Sequence, residues 1–322
     1  MGICTITSFQ FHIDRVARAV ESGAAGARSR LAASWVRSQR KHGLDPGRKD
    51  SPEYLTNFEI ETRKRELGRV ATIAETKLDQ LFAVVGGSGC CVLLTDRDGI
   101  VIDHRYQMAD EHAFRAWGLG AGADWSESAQ GTNGIGTCLA EGRELIVHRD
   151  QHFMATNIGM SCIDAPVYGP DGEIVAALDV SSARADQTEA LNGLIAELVR
   201  QAARNIEADA FQDKFSDARV LVVSDSSDGV SLLATNADDI VIGATRAARR
   251  AFDLQSFGDL KPIPLGDLIG RDSASTGFAR AQSAAITRAL IRADHNVSLA
   301  ARELGVSRAT LYRRMKRFGI KG

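Results

Sequence analysis

The spacing of hydrophobic residues divides the chain into helical segments near both ends and a middle that is rich in predicted strands. Ile13, Val16 and Val20 predict a short first helix, and residues 31–42 predict a second helix with Trp35 on its inner side. An apolar stripe running to Val85 predicts one long helix over residues 57–85. Residues 1–88 are therefore interpreted as an N-terminal helical region.

Residues 89–212 change to short apolar runs that are separated by turn signals. Asp96-Arg-Asp-Gly99 and Gly169-Pro-Asp-Gly172 each join two runs that predict the strands of a hairpin. Leu145-Ile-Val147 predicts a shorter strand, and Thr132 is a candidate cap for a helix that reaches Glu141. A helix over residues 188–209 closes the region, and its predicted apolar face consists of Leu191, Leu194, Ile195, Leu198, Ala202 and Ile206. An antiparallel sheet with covering helices is an α+β fold typical of sensory domains.

The segment after this domain is smaller. Residues 213–254 predict two strands, over 219–224 and 230–234, followed by a helix that ends near Phe252. Residues 255–277 are rich in Gly, Pro, Ser and Asp, which predicts a linker. The organisation is therefore a helical region, a sensory domain, a small α/β segment, a linker and a C-terminal module.

The C-terminal module, residues 278–322, has the pattern of a helix-turn-helix. Ser298 and Ser307 are candidate caps for two short helices, and Gly305 supplies the turn between them. Leu299, Ala300 and Leu304 predict the apolar face of the first of these helices. The second helix has an apolar stripe and a polar face composed of Arg308, Thr310, Arg313, Arg314, Lys316 and Arg317. In such motifs the second helix enters the major groove of DNA.

Charge supports the same interpretation. Residues 278–322 contain ten Lys/Arg and two Asp/Glu residues, whereas the whole chain contains 39 and 41. A basic module on an acidic body localises the phosphate-binding surface to that module.

The module also resembles a known family. Ala300-Ala301-x-x-Leu304-Gly305-Val306-Ser307-Arg308-x-Thr310-Leu311-Tyr312-Arg313 is similar to the Fis-type helix-turn-helix of bacterial enhancer-binding regulators. The candidate DNA-binding residues are Ser307, Arg308, Thr310, Tyr312, Arg313, Arg314, Lys316 and Arg317. In that family the preceding helix forms a homodimer, which implies a twofold double-stranded DNA site. Dimerisation through the C-terminal helix, through the sensory-domain helices or through both stays open.

The middle of the chain resembles the GAF-type region of acetoin-catabolism-type transcriptional regulators. The resemblance rests on Gly131-Thr-Asn-Gly-Ile-Gly-Thr137, Leu93-Leu-Thr-Asp-x-x-Gly99, Ser34-Trp35 and Gly43-Leu-Asp-Pro46. It implies a small-molecule effector in a pocket between the sheet and its covering helices. The candidate ligand-binding residues are Trp125, Asn133, Thr137, Cys138, His148, Cys162 and Asp164. The alternative for each of them is a core or turn role. Residues 213–254 resemble a truncated PAS-like segment, with a structural spacer as the alternative.

The chain departs from this family in one respect. Most such regulators have an ATPase domain between the sensory and DNA-binding regions, where this chain has the predicted linker. The sequence contains no Gly-x-x-x-x-Gly-Lys-Ser/Thr loop that would hold nucleotide phosphates. Regulation without ATP hydrolysis, by repression or by contact with RNA polymerase, is therefore predicted, and no cofactor is expected beyond the effector.

Two other functions compete with transcriptional regulation. Some GAF domains are thiol enzymes that reduce methionine sulfoxide, and Cys90, Cys91, Cys138 and Cys162 lie in this region. The DNA-binding module argues against an enzyme. An architectural DNA-binding protein would leave the sensory half without a role. Redox sensing by the cysteines stays open, and His148-Arg-Asp-Gln-His152 would bind a metal only on a helix with further ligands.

Composition bounds the remaining possibilities. A chain of 322 residues exceeds the usual size of one hydrophobic core, so two or three domains are expected. No apolar run approaches the length of a membrane span, and the N-terminus lacks the features of a signal peptide. Five cysteines without a C-x-x-C pair predict reduced thiols. A cytoplasmic protein is therefore expected.

Overall fold

The computed structural model describes residues 2–22, 29–49, 53–184, 186–226, 229–269 and 277–320. The chain divides into two compact units, Met1–Leu265 and Gly266–Gly322, which are described separately. Residues 270–276 of the predicted linker lie outside the described part of the chain.

In the described part of the chain, four α-helices precede the first strand. They are α1 (Gly2–Glu21), α2 (Arg30–Val36, continued by a π-helical turn Arg37–Lys41), α3 (Asn57–Leu67) and α4 (Arg69–Val85). The predicted long helix is therefore two helices, and that prediction was wrong at Gly68. Gly68 has φ +58° and ψ −128°, a conformation that a helix cannot contain and that glycine adopts without a steric penalty. The chain changes direction there, although the apolar stripe continues into α4.

A five-stranded antiparallel sheet forms the centre of the first unit. Its strands are β1 (Cys90–Asp96), β2 (Val101–Arg105), β3 (Leu145–His148), β4 (Ser161–Tyr168) and β5 (Ile174–Ser182). Their order across the sheet is β2-β1-β5-β4-β3. The predicted hairpins and the α+β class are confirmed, and every residue of β1 and β4 is buried because helices cover both faces.

Helices form a layer on each face of this sheet. The elements that complete the layers are α5 (Glu111–Ala116), α6 (Glu127–Gln130), α7 (Gly134–Glu141) and α8 (Glu189–Lys214). On one face, α4 and α8 bury the side chains of Val92, Ile163 and Val180. We call the opposite face, where Cys91, Leu93 and Cys162 pack under α5–α7, the loop face.

The apolar stripe of α8 differs from the predicted one. Leu194 and Leu198 were expected on the inner side, but their side chains are 69% and 38% exposed. The buried positions include the predicted Ile195 and Ile206, together with Asn192, Val199, Ala203, Ala210 and Phe211. The prediction was wrong for Leu194 and Leu198 because α8 packs on the sheet through smaller side chains such as Ala203, which allow a closer approach. The bulkier leucines therefore lie away from the sheet.

A second, four-stranded sheet follows α8. It contains β6 (Arg219–Ser226), β7 (Gly229–Thr235), β8 (Ile240–Ala244) and β9 (Ile263–Pro264), with α9 (Arg246–Ala251) packed against it. Strand β9 lies within the segment that was predicted to be a linker. The loop before β9 is also fixed, because the guanidinium of Arg249 donates to the carbonyl oxygens of Gln255 (2.9 Å) and Gly258 (2.7 Å). The composition correctly indicated an irregular segment here. It did not indicate that the segment is held in place by hydrogen bonds to Arg249.

Three helices form the second unit. They are α11 (Gly277–Arg292), α12 (Val297–Glu303) and α13 (Arg308–Phe318), and a short helix α10 (Leu265–Leu268) lies at the boundary of the two units. The core of the three helices includes Ile286, Leu290, Ala300, Leu311 and Met315. The predicted helix-turn-helix is confirmed.

Candidate functional site

The turn over residues 131–137 joins α6 to α7 and is built by one buried side chain. Asn133 Oδ1 accepts a hydrogen bond from Gly136 N (2.8 Å), and Asn133 Nδ2 donates to the carbonyl oxygens of Trp125 (3.0 Å) and Gly131 (2.9 Å). The N-terminal cap of α7 is therefore Asn133. The predicted cap was Thr132, and that prediction was wrong. Asparagine fits the position because its amide satisfies both sides of the turn.

Two glycines of this turn allow close contacts. A Cβ atom on Gly134 would lie 1.9 Å from Asp164 Oδ2, and one on Gly136 would lie 2.3 Å from Glu127 N. The helix α7 therefore sits directly on β4 and on the start of α6. The glycine pattern that resembles a phosphate-binding loop in sequence has a packing role here.

A buried polar network joins this turn to the N-terminal helices. Ser34 Oγ donates to Glu127 Oε2 (2.7 Å), and Thr132 Oγ1 lies 2.6 Å from Ser34 Oγ. Arg37 Nε donates to Glu127 Oε1 (2.7 Å), and Arg37 Nη1 lies 2.8 Å from Glu141. The hydrogen bond to Glu127 raises the pKa of Arg37, so the guanidinium stays charged. The Ser34-Trp35 and Gly131–Thr137 motifs are thus parts of one interface.

Two aspartates face each other under α7 on the loop face. Asp164 on β4 is the direct cross-strand partner of Asp179 on β5, and the two residues are 1% and 0% exposed. Directly opposed residues of an antiparallel pair have Cβ atoms about 5 Å apart, so the carboxyl groups interact. Asp179 Oδ1 accepts from Ser181 Oγ (3.0 Å). Asp179 Oδ2 and both oxygens of Asp164 receive no hydrogen bond from any other described residue, and the two carboxyl groups are hydrogen-bonded to each other.

The acid pair (Asp164 and Asp179) titrates far above the range of ordinary aspartates. Burial raises the pKa of Asp179 to about 7. Burial first, and the neighbouring Asp179 carboxyl second, raise the pKa of Asp164 well above its usual value. Ionising both of these buried, neighbouring carboxyl groups has a high free-energy cost, so the pair holds a proton near neutral pH.

Sulfur and imidazole groups lie beside the acid pair. Cys162 Sγ lies 3.2 Å from Ser181 Oγ and 3.3 Å from His152 Nε2. Burial raises the pKa of Cys91, Cys138 and Cys162 well above the usual thiol value, and it lowers the pKa of His152 to about 4. These thiols are therefore protonated, whereas thiol enzymes need an accessible thiolate.

The structure brings some of the predicted ligand-binding residues together and separates others. Asn133, Cys138, Cys162 and Asp164 are buried around the acid pair and α7. Trp125 is buried on the same face, where its Nε1 donates to Gly118 O (2.8 Å).

The other two predicted residues have different surroundings. Thr137 Oγ1 accepts from Asn133 N (3.3 Å) and lies 3.3 Å from Ser34 Oγ, so it belongs to the network with the N-terminal helices. His148 lies on the α8 face, with Nδ1 2.7 Å from Ser161 Oγ and 3.1 Å from Asn192 Nδ2.

Sequence reasoning missed Asp179 and His152 as members of this cluster. Asp179 stands in the otherwise apolar and small run Ile174–Ser182, and an acidic residue inside a buried strand was the available signal. His148 and His152 flank a 3-10 turn (Arg149–Gln151) rather than a helical face. Among the described residues, no group of three or more His, Cys, Asp or Glu side chains has the arrangement of a metal site.

The second unit presents a helix with one buried and one charged side. Ser307 caps α13 as predicted, since its Oγ accepts from Thr310 N (3.1 Å). The cap of α12 is Asn296 rather than Ser298, because Asn296 Oδ1 accepts from the backbone nitrogens of Ser298 (3.0 Å) and Leu299 (3.2 Å). Gly305, with φ +63°, makes the turn between the helices.

One predicted core position of α12 is wrong. Leu299 is 51% exposed, whereas the small side chain of Ala301 is buried in its place. An alanine at this position lets α12 pack closely against the other two helices, as in the core that contains Leu290 and Met315.

The outer side of α13 carries most of the predicted DNA-binding residues. Leu311 and Met315 are buried, and at 100° per residue Ala309, Arg313 and Lys316 lie on the opposite side. Ser307, Arg308, Tyr312, Arg313, Lys316 and Arg317 are exposed, while Thr310 and Arg314 are half-buried at the edge. Ala309, which was not among the predicted residues, is also exposed on this side.

Comparison with known proteins identifies both regions. Residues 69–207 match the GAF domain, and residues 278–318 match the bacterial regulatory protein, Fis family. The chain thus combines a GAF domain with a helix-turn-helix of the Fis regulatory family. Within the described residues, none of its helices has both the length and the hydrophobicity that crossing a membrane requires.

Two of the relatives that the chain matches are regulators named for acetoin. The chain is 37% identical over 174 residues to the acetoin catabolism regulatory protein of Cupriavidus necator, which covers 54% of this chain and 26% of that protein. It is 25% identical over 181 residues to the acetoin dehydrogenase operon transcriptional activator AcoR of Bacillus subtilis, which covers 56% of this chain and 30% of the activator. The chain therefore spans about a quarter to a third of the length of these relatives.

A solved structure supports the fold alone. The E. coli DhaR(N)-DhaL complex is matched with a TM-score of 0.52 at 14% identity, over 71% of this chain and 78% of that chain.

Proposed function

We propose that the protein is a cytoplasmic, effector-responsive regulator that binds specific DNA sequences as a homodimer and acts without ATP hydrolysis. The observation that carries the proposal is the charged outer side of α13, which lies opposite the buried Leu311 and Met315. A helix with this division can lie in the major groove while its inner side stays packed in its own unit.

Arg313 is expected to read a base. Its side chain is exposed at the centre of the outer side of α13, and a bidentate arginine–guanine contact contributes roughly 1–3 kcal/mol of discrimination. Arg313→Ala should therefore weaken binding to the selected operator by roughly 5- to 150-fold and relax preference at one base position. The measurement is selection of bound sequences followed by titration at several salt concentrations.

The matched control is Arg288→Ala, an exposed arginine on α11 outside the helix-turn-helix. If Arg313→Ala weakened all sequences equally and lowered the salt slope by about one, Arg313 would be a phosphate contact and the base-reading role would be rejected.

A homodimer accounts for apolar side chains that the second unit leaves exposed. Phe278 and Ile291 on α11 are 76% and 62% exposed, and Leu299 on α12 is 51% exposed. Large apolar side chains that are exposed in a single chain are often buried in subunit interfaces. A dimer would present two α13 helices to a twofold operator.

The effector site is proposed to lie on the loop face, at the acid pair. Asp164 and Asp179 are hydrogen-bonded to each other, and the oxygens of the pair that neither this bond nor Ser181 uses have no partner among the described residues. Buried polar atoms are normally hydrogen-bonded, so these oxygens favour a ligand with hydroxyl donors. The relatives are named for acetoin, which carries one hydroxyl group, and small hydroxyketones and vicinal diols are therefore the proposed class.

Acetoin is expected to raise the melting temperature of the first unit by several degrees at a concentration well above its Kd, because a ligand that binds only the folded state stabilises it. Asp164→Asn should reduce this rise, and Asp238→Asn, at an exposed turn, should leave it unchanged. An equal rise in all three proteins would reject the acid pair as the site. No rise with acetoin or with 2,3-butanediol would reject the proposed ligand class.

Action without ATP hydrolysis is supported by the sequence between the two matched regions, which contains no nucleotide-binding loop of the Gly-x-x-x-x-Gly-Lys-Ser/Thr type. Repression by occupancy and contact with RNA polymerase are the two modes that need no such loop. DNA-stimulated ATP hydrolysis by the pure chain would contradict the proposal.

A further inference from the structure

An arginine-lined recess lies between β4, α8 and α9 in the first unit. Its volume is about 290 Å³, and its floor includes Tyr168 and Pro166 of β4. The arginines that line it are Arg143, Arg200, Arg204, Arg246 and Arg250. The recess is separate from the acid pair, because neither Asp164 nor Asp179 lines it.

Helical spacing explains how so many arginines converge. Arg200 and Arg204 are one turn apart on α8, and Arg246 and Arg250 are one turn apart on α9, so each pair lies on one side of its helix. Arg143 joins them from the loop between α7 and β3. Cationic side chains on three separate elements thus border a single concave space.

Acidic residues balance this charge only in part. Two glutamates line the recess, and one of them, Glu144, forms an ion pair with Arg200. The other, Glu207, accepts a hydrogen bond from Tyr168 N (2.9 Å), and burial raises the pKa of Glu207 to about 7. Arginines therefore outnumber glutamates in the lining, although Arg200 is also paired with Glu197 on α8, and Arg204 and Arg250 have further interactions.

Arg246 has a geometry suited to anion binding. Its Cζ atom lies 3.8 Å from the centroid of the Tyr168 ring, and Tyr168 is itself fixed by a hydrogen bond from its hydroxyl to Gly142 O (2.7 Å). Stacking uses the face of a guanidinium and leaves the N–H groups in its plane as donors. Among the described residues, no carboxylate is within ion-pair distance of Arg246 or Arg143.

We propose that this recess binds a small dianion, with a phosphate or paired carboxylate groups held by Arg246 and Arg143. Guanidinium groups match these anions bidentately, and clustered like charges are stabilised when an anion enters. A volume of about 290 Å³ is at the lower end of ligand sites, which limits the ligand to a few heavy atoms. Because α8 and α9 both contribute arginines, the bound anion would connect the GAF domain to the four-stranded sheet.

The test is calorimetric titration of the full chain with inorganic phosphate, succinate and acetate. We expect phosphate or succinate to bind and acetate, with a single charge, to bind much more weakly. Arg246→Gln should weaken binding by about tenfold or more, since hydrogen bonds to charged groups contribute about 1.5–3 kcal/mol. Arg143→Gln, at an exposed position where a folding defect is not expected, provides a second variant with the same expected direction.

The control is the double variant Arg313→Gln/Arg317→Gln, which removes two exposed charges from α13 and should leave binding of the small anions unchanged. Absence of binding in the wild type, unchanged binding in both recess variants, or loss of binding only in the α13 control would each overturn the proposal. If the recess variants lost affinity for DNA but not for phosphate or succinate, the arginines would instead contact the DNA backbone, and the dianion site would be rejected.

Discussion

Asp179→Asn is expected to make the first unit more stable than the wild type at pH 8, by about 2–4 kcal/mol. The pKa of Asp179 is raised to about 7 in the folded chain, against about 3.9 for an unfolded aspartate. Each pKa unit corresponds to about 1.4 kcal/mol, so ionising this buried carboxyl costs up to about 4 kcal/mol. An asparagine removes that cost, and its amide can donate to Asp164.

The sign of the pH dependence follows from proton binding. Between pH 4 and 7 the folded state holds a proton on Asp179 that the unfolded state releases, so wild-type stability falls as the pH rises through this range. Above about pH 7 both states are ionised at this position, and the full cost is present. The advantage of the variant should therefore be largest at pH 8 and should decrease toward pH 5.

Urea unfolding at pH 5.5, 7 and 8.5 measures this effect. The three tryptophans of the chain, Trp35, Trp117 and Trp125, all lie in the first unit, so their fluorescence reports its unfolding alone. Asp238→Asn is the control for the same chemical change at an exposed turn. A variant that is less stable than the wild type at pH 8, or that retains the wild-type pH dependence, would contradict the acid-pair interpretation.

The DNA-binding half was largely predictable because its determinants are local. The Ser307 cap, the turn at Gly305 and the spacing of Leu311 and Met315 are all encoded within about fifteen residues. The errors concern neighbouring alternatives, such as Asn296 instead of Ser298, where two capping residues compete within three positions.

The sensory half was predictable as strands and turns, but not as a site. The acid pair exists because the register of β4 and β5 places Asp164 opposite Asp179, and strand register is set by long-range pairing. His148 is directed to the α8 face by the alternation of β3, which a candidate list based on residue type did not consider. The arginine recess depends on the relative positions of α8 and α9, whose residues both line it. No local sequence pattern predicts how these two helices are placed.

Gly136→Ala is expected to destabilise the first unit by about 3 kcal/mol or more. The added Cβ would lie 2.3 Å from Glu127 N and 2.7 Å from Trp125 O, and these are backbone atoms rather than the ends of flexible side chains. Glu127 is also held by Ser34 and Arg37, so α6 cannot shift without breaking the interface with the N-terminal helices. The strain and the lost hydrogen bonds therefore act together.

Gly193→Ala on α8 is the matched control, because it adds the same methyl group at a site with no atom within 4 Å. It should stabilise the chain by about 0.5–1 kcal/mol, since alanine is the better residue in an exposed helix interior. Urea unfolding followed by tryptophan fluorescence compares the two variants at one pH. If Gly136→Ala were as stable as the wild type, α7 would not be seated on α6 as closely as described. If both variants lost equal stability, the effect would come from the added methyl group in general, and the close approach at Gly136 would not be its cause.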